Sequence, residues 1–219
     1  MTQQHFASYY RWLVATQILQ LDLGGKRILD VGCDDASFLL RSLATVKLGV
    51  DLQPRVVPTD ELSVLRADAR QLPIRSETFD TILAFDILEH IVEDRRVMGE
   101  LLRVLSPTGS LWFSTPTVRS AIWPSFVQPY ANYAFGHVRN GYTSQQLQAL
   151  LPPTDEYQLT MFAWNEPALR AGFVAIDLGQ RLFPRGATWM AKLCFAIDQH
   201  VPQGERGHWY GRITHRSQP

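Results

Sequence analysis

Between residues 27 and 116 the chain alternates short β-rich runs with helical ones, at 28–31, 38–43, 46–50, 64–67, 79–85, 97–105 and 110–115. Strands and helices taking turns in this way predict a mostly parallel sheet with helices on both faces, because a parallel connection needs a helix-length crossover. The clearest helix lies near 93–105. There Val97, Leu101 and Leu105 form one stripe, and Glu93, Arg96, Glu100 and Arg103 take the other faces. Ser106-Pro107-Thr108-Gly109 then carries turn chemistry.

The flanks are less regular. Phe6, Tyr10, Leu13, Ile18 and Leu21 recur at helical spacing until Gly24-Gly25, which predicts an N-terminal helix within 1–25. After Pro116 come Trp123, Pro124, Phe126, Pro129, Tyr130, Tyr133 and Phe135, which predict an ordered aromatic insertion over the mouth of the sheet. Trp189, Met190, Leu193, Cys194 and Ile197 have the spacing of a core-facing helix, and 208–215 could supply a last strand. With 219 residues, 46% of them hydrophobic, one domain over 1–219 is expected: a cofactor-binding core at 26–116 and an acceptor-side part at 117–219.

Lys+Arg and Asp+Glu both total 21, so no global positive field favours nucleic acid. Cys33 and Cys194 stand in unrelated contexts, which argues against a disulfide framework or a zinc site. No apolar run approaches the roughly 20 residues that span a bilayer, and the first ten lack signal-peptide order, so a cytoplasmic protein is expected.

The first strand runs into Asp30-Val31-Gly32-Cys33-Asp34-Asp35-Ala36, where ligands of an open α/β sheet bind. Gly32 permits a tight turn and close approach. Asp51 follows about twenty residues later, where a carboxylate can accept hydrogen bonds from ribose hydroxyls. A dinucleotide would set its pyrophosphate against Asp34 and Asp35, which repel it. A cofactor carrying a sulfonium and an ammonium meets a field of the right sign in Asp30, Asp34 and Asp35, so a nicotinamide oxidoreductase is disfavoured.

Residues 28–38 resemble the first motif of class I S-adenosylmethionine-dependent methyltransferases, of the methyltransferase type 11 kind. Gly49-Val50-Asp51-Leu52 resembles the second, and Arg66-Ala67-Asp68-Ala69 with Leu72-Pro73 the adenine-binding third. Residues 79–91 and 100–111 resemble the fourth strand with its loop and the helix leading to the fifth strand. The resemblance implies a Rossmann-like, seven-stranded, mostly parallel sheet with the helical, aromatic insertion after the fifth strand. It also implies S-adenosylmethionine as cofactor. Asp30 would hold the cofactor's amino end, Gly32 would line the methionine portion with Asp86 beside it, Asp51 with neighbouring Leu52 would take the ribose, and Asp68 and the Ala69 backbone the adenine. One departure stands out: Asp34 and Ala36 occupy the second and third glycine positions of a turn usually written D-x-G-x-G-x-G. Asp34 is among the residue types that tolerate positive φ. The departure leaves open a non-catalytic, methyltransferase-like binding or regulatory module.

The implied reaction is methyl transfer to an oxygen or nitrogen of a small-molecule, lipid-linked or glycosyl-precursor acceptor, with peripheral membrane contact conceivable. His137, in Phe135-Gly136-His137-Val138-Arg139, is the candidate general base, since an imidazole can take a hydroxyl proton at neutral pH. Alternatively, His137 and Arg139 anchor the insertion. His90 is a second catalytic candidate, although Glu89 and His90 could equally cap a helix or form a buried polar pair. No metal-ligand spacing such as H-E-x-x-H occurs, so no metal is expected.

Overall fold

The computed structural model describes residues 6–180 and 184–216. Among these, seven strands form one sheet in the order β3-β2-β1-β4-β5-β7-β6: β1 Arg27–Val31, β2 Val46–Asp51, β3 Ser63–Arg66, β4 Phe79–Phe85, β5 Leu105–Pro116, β6 Tyr157–Asn165 and β7 Gly207–His215. β1 to β5 pair in parallel, and β7 is antiparallel to both β5 and β6. The expected Rossmann-like sheet is present. The order reverses at β1 and β4, so a crevice opens beyond their carboxyl ends.

Seven α-helices cover the faces among the described residues: α1 Phe6–Leu13, α2 Ser37–Arg41, α3 Asp94–Val104, α4 Gln128–Phe135, α5 Ser144–Gln148, α6 Pro167–Gln180 and α7 Pro184–Asp198. The period-two alternation of each strand decides which face a residue serves. Leu29, Val31, Ile82, Ala84, Leu111 and Phe113 pack with the α3 residues Val97, Leu101 and Leu102 on one face. Ile28 and Leu83 pack with Phe38 and Leu39 of α2 on the other, where Tyr210 joins Phe6, Tyr10 and the α7 residues Ala191, Cys194 and Phe195.

Three local expectations need correction. The N-terminal helix is regular only to Leu13 and continues as a π-helical turn, Val14–Ile18. Ser106-Pro107-Thr108-Gly109 does not leave the sheet: Phe79 pairs with Leu105 and Thr81 with Ser110, so the turn chemistry is spent on a bulge within β5. Trp189, Leu193 and Ile197 face solvent, whereas Cys194 and its neighbours Ala191 and Phe195 reach the core, so the core stripe runs beside the largest side chains. β6 and α6 carried no signal singled out above.

The antiparallel strand β7 lies against β5 only because Phe113 has a glycine opposite it. Phe113 pairs with Gly211, and a Cβ on Gly211 would stand 2.1 Å from Phe113 Cζ. Gly211→Ala is expected to lower the unfolding free energy by about 1–3 kcal/mol through overpacking, read as a shifted urea midpoint.

Candidate active site

The turn after β1 is built on left-handed backbone. Gly32 (φ +76°) donates its N–H to Val50 O at 2.8 Å, and Asp34 and Ala36 follow with φ of 46° and 52°. The two non-glycine residues therefore keep the conformation that glycine ordinarily supplies, at a steric cost of about 1–2 kcal/mol for a residue such as Ala36. The Asp34 N–H donates to Asp51 Oδ2 at 3.0 Å and the Gln53 N–H to Asp51 Oδ1 at 2.8 Å, which fixes the Asp51 carboxylate at the end of β2. Arg55 grips the Asp34 carboxylate with two N–H groups. Much of the negative field expected from Asp34 is thus neutralised, which leaves Asp35 and Asp51 beside it.

Asp30 is buried at the end of β1. Burial, reinforced by the charges of Asp35, Asp51 and Asp34, pushes its carboxyl up to about 8. On the adenine side of the resemblance, Arg70 binds the Asp68 carboxylate at 2.7 Å and reaches Glu93 at 2.9 Å. Hydrogen bonding from Arg70 holds Asp68 below the usual carboxylate range.

Three cavities meet here. The first, about 550 Å³, is lined by Gly32, Asp34, Asp51, Leu52, Asp68 and Ala69. The second, about 610 Å³, is lined by Arg11, Asp30, Gly32, Asp35 and Phe85. The third, about 190 Å³, is lined by Glu89, Asn132, Phe135, His137, Arg170 and Phe173. Asp86 and His90 line all three, so every cofactor-site residue named from the sequence borders one of the first two cavities and the two histidines border the third.

Asp86, in left-handed backbone at φ 50°, sits on a buried ion network that sequence reading did not find. Arg11 of α1 donates to Asp86 Oδ2 at 2.9 Å and to Glu166 Oε2 at 3.0 Å, and Arg170 donates to Glu166 Oε1 at 2.8 Å. Ser114 donates to Asp86 Oδ1 at 2.5 Å. His208 Nδ1 lies 2.6 Å from Glu166 Oε1 while Nε2 lies 2.7 Å from Arg11 Nη2. Both contacts are satisfied by a neutral ring that donates from Nδ1 and accepts at Nε2, which agrees with burial and Arg11 lowering its pKa. Burial by itself would raise the Asp86 carboxyl, but the Arg11 charge, helped by the Ser114 hydrogen bond, holds it down at about 2. The only sequence signal was Arg11 lying beside Tyr10 on an apolar helix. Glu166, Arg170 and His208 gave none.

Glu89, His90 and His137 form a second cluster. The His90 and His137 rings meet edge-on with centroids 4.6 Å apart. Gly136, at φ 71°, ends α4, and the His137 N–H donates to Asn132 O at 2.8 Å, so the cap aims His137. Burial and the neighbouring His90 push His137 down to about 4. Burial and Asp86 push Glu89 up to about 8. The anchoring role open to this segment falls to Arg139, which binds Asp94, Tyr142 and Ile91 O. Trp123, Phe126, Tyr130 and Tyr133 of the insertion point to solvent, and Phe135 alone of its aromatic rings borders the third cavity.

Residues 29–113 match the family described as "Methyltransferase domain". The chain is 29% identical to a demethylmenaquinone methyltransferase of Clavibacter sepedonicus, over 77% of this chain and 78% of that protein. It is 34% identical to a phthiotriol/phenolphthiotriol dimycocerosates methyltransferase of Mycobacterium tuberculosis, over 48% of this chain and 41% of that one. An S-adenosylmethionine-dependent methyltransferase from Mesorhizobium loti has the same fold, with TM-score 0.62, 18% identity and coverage of 96% of this chain and 100% of that one.

Two outcomes follow from the electrostatics. Arg11→Ala leaves Asp86 and Glu166 without their shared partner and should cost about 3–5 kcal/mol in equilibrium unfolding. Folded Asp30 keeps its proton up to about pH 8, whereas an unfolded Asp ionises near 3.9. The folded state therefore binds the extra proton across that window, and stability falls as pH rises through it, by at most about 1.4 kcal/mol per unit. Asp30→Asn should remove this slope from a series of urea midpoints.

Proposed function

The chain belongs to the class I S-adenosylmethionine-dependent methyltransferases, and on that premise we propose that it methylates an oxygen or nitrogen of a partly apolar small-molecule or lipid-linked acceptor held in the third cavity. The observation that carries this reading is the junction: Asp86 and His90 border the two cofactor-side cavities and the smaller third one together. S-adenosylmethionine supplies an electrophilic methyl group on a sulfonium when bound.

The donor set suits that cofactor. Asp30, Asp51 and Asp86 present acceptors and negative charge, and Asp30, costly to ionise alone, gains a partner in an ammonium group. In this reading Asp51, already oriented by two backbone N–H groups, takes the ribose hydroxyls. Leu52, Asp68 and Ala69 border the adenine, while Asp34 and Gly32 shape the turn. Asp86, kept ionised by Arg11, faces the positive end of the cofactor.

On the acceptor side the chain's own residues position and exclude water. The third cavity, about 190 Å³, has room for a reactive head group, with Ile122, Phe135 and Phe173 as apolar walls. A longer apolar tail would pass the exposed rings of Trp123, Phe126, Tyr130 and Tyr133. The relatives named for demethylmenaquinone and for phthiotriol dimycocerosates support an apolar acceptor without indicating which atom is methylated. A hydroxyl acceptor gives up its proton at the Glu89–His90–His137 cluster, where His137 is neutral at physiological pH.

Two variants test the two halves separately. Asp51→Ala is expected to weaken S-adenosylmethionine binding by about 1.5–3 kcal/mol in calorimetry, the scale of hydrogen bonds to a charged group. His137→Ala should lower turnover by about 10²–10⁴ with cofactor affinity nearly unchanged. Normal affinity in folded Asp51→Ala, or normal turnover in His137→Ala, would sink the corresponding assignment.

A further inference from the structure

We propose that Glu89, His90 and His137 bind a divalent first-row transition-metal ion, zinc by the chemistry of the set, at the floor of the acceptor cavity. The inference rests on the reading of that cavity as the acceptor site and specifies how the cluster handles the acceptor proton.

The three side chains each offer one ligand atom, and these atoms lie within 4.8 Å of one another. Ligand atoms about 2.0–2.2 Å from a tetrahedral ion stand roughly 3.3–3.6 Å apart, so small side-chain rotations are enough to close this set around an ion. Two atoms of the cluster also stand unanswered. Glu89 Oε1 is fully buried, and neither it nor the buried His137 Nδ1 has a hydrogen-bond partner. A buried polar atom left unpaired costs about 1–3 kcal/mol, so two of them beside each other in a cavity call for an occupant that accepts lone pairs.

The surroundings orient these groups as ligand supports do. Thr115 Oγ1 donates to Glu89 Oε2 at 3.0 Å, leaving Oε1 for the ion. The Glu89 carbonyl accepts the Val138 N–H at 2.9 Å, which ties the two ligand-bearing segments together next to His137. His90 Nδ1 lies 3.3 Å from Gly136 O, so a proton there points at the carbonyl and the Nε2 lone pair is free to ligate. Positive charge nearby is already answered: Arg11 is paired with Asp86 and Glu166, and Arg170 with Glu166.

Two imidazoles and one carboxylate favour zinc, cobalt, manganese or iron over magnesium or calcium, which prefer oxygen ligands. Three protein ligands leave at least one position open in a tetrahedral ion. An acceptor hydroxyl in that position has its pKa lowered, its O–H bond breaks, and the proton passes to solvent water. His137 then serves as a ligand instead of a free base.

No local ligand spacing marks the set in the sequence, because His137 lies on a different segment from Glu89-His90. Hairpin-like return of the insertion past the end of β4 is what unites them.

The test is titration of chelator-treated protein with Co²⁺, read by visible absorption, and with Zn²⁺ in competition, read by calorimetry. One ion per chain is expected. Glu89→Gln and His137→Ala should each weaken it at least about tenfold, and Thr115→Val by about 10-fold or more through the lost support. His200→Ala, outside the cluster, should leave it unchanged. Thermal unfolding checks that each variant folds, and S-adenosylmethionine is titrated into the same samples. No one-to-one binding, or binding unaffected by the cluster variants, overturns the metal site; if the cofactor still binds, the methyltransferase reading stands. Failure of S-adenosylmethionine to bind with the ion retained would overturn that reading instead.

Discussion

The guanidinium of Arg11 is the interaction on which the rest of the site depends. It is a buried charge, held by Asp86 at the end of β4 and Glu166 at the end of β6, with His208 of β7 hydrogen-bonded into the same network. An ion of this kind is tolerable only when fully paired, since desolvation of a single charge costs several kcal/mol. The network therefore locks the N-terminal helix onto two strands from the far half of the chain. It also keeps Asp86 ionised in a place where burial would otherwise protonate it. Stability and cofactor-side electrostatics thus share one set of atoms.

The turn after β1 shows a different economy. Backbone conformation there is set by the requirement that Gly32, Asp34 and Ala36 fold the chain back sharply over Val50 O and into α2. Glycine would meet this without strain. The chain instead carries two residues with Cβ atoms, and Arg55 on the β2–β3 connection holds the Asp34 side chain in place. The Asp51 carboxylate is fixed at the wall of the first cavity by the two backbone N–H groups that bind its oxygens.

Opposite strategies are visible on the two sides of the junction. The first two cavities are acidic and broad, while the third is small and carries unpaired polar atoms among aromatic walls. The insertion presents most of its aromatic surface outward. It lines the cavity with Ile122, Phe135 and the polar face of α4, and it brings His137 back to Glu89. A sequence reading that counts aromatic residues assigns them all to the pocket, because it cannot see which side of α4 each one occupies.

The amino-acid sequence alone determined the α/β alternation, the turn at Gly32 and the acids at the strand ends, since these follow from periodicity and from local backbone chemistry. Asp51 could be named from its place after a β-rich run and Asp30 from the acidic turn it belongs to, whereas Asp68 and Asp86 are implied only by the resemblance of their segments to methyltransferase motifs. Tertiary structure decided everything that depends on distant segments meeting. The placement of β7 between β5 and β6 brought His208 to Glu166 and Arg11, and no local pattern encodes that pairing. It also turned Ser106-Pro107-Thr108-Gly109 from a turn into a bulge, because the pairing of Thr81 with Ser110 outweighed local turn preference. The Glu89–His90–His137 cluster is of the same kind: its residues are ordinary in sequence and become a site only when the insertion folds back across the end of β4.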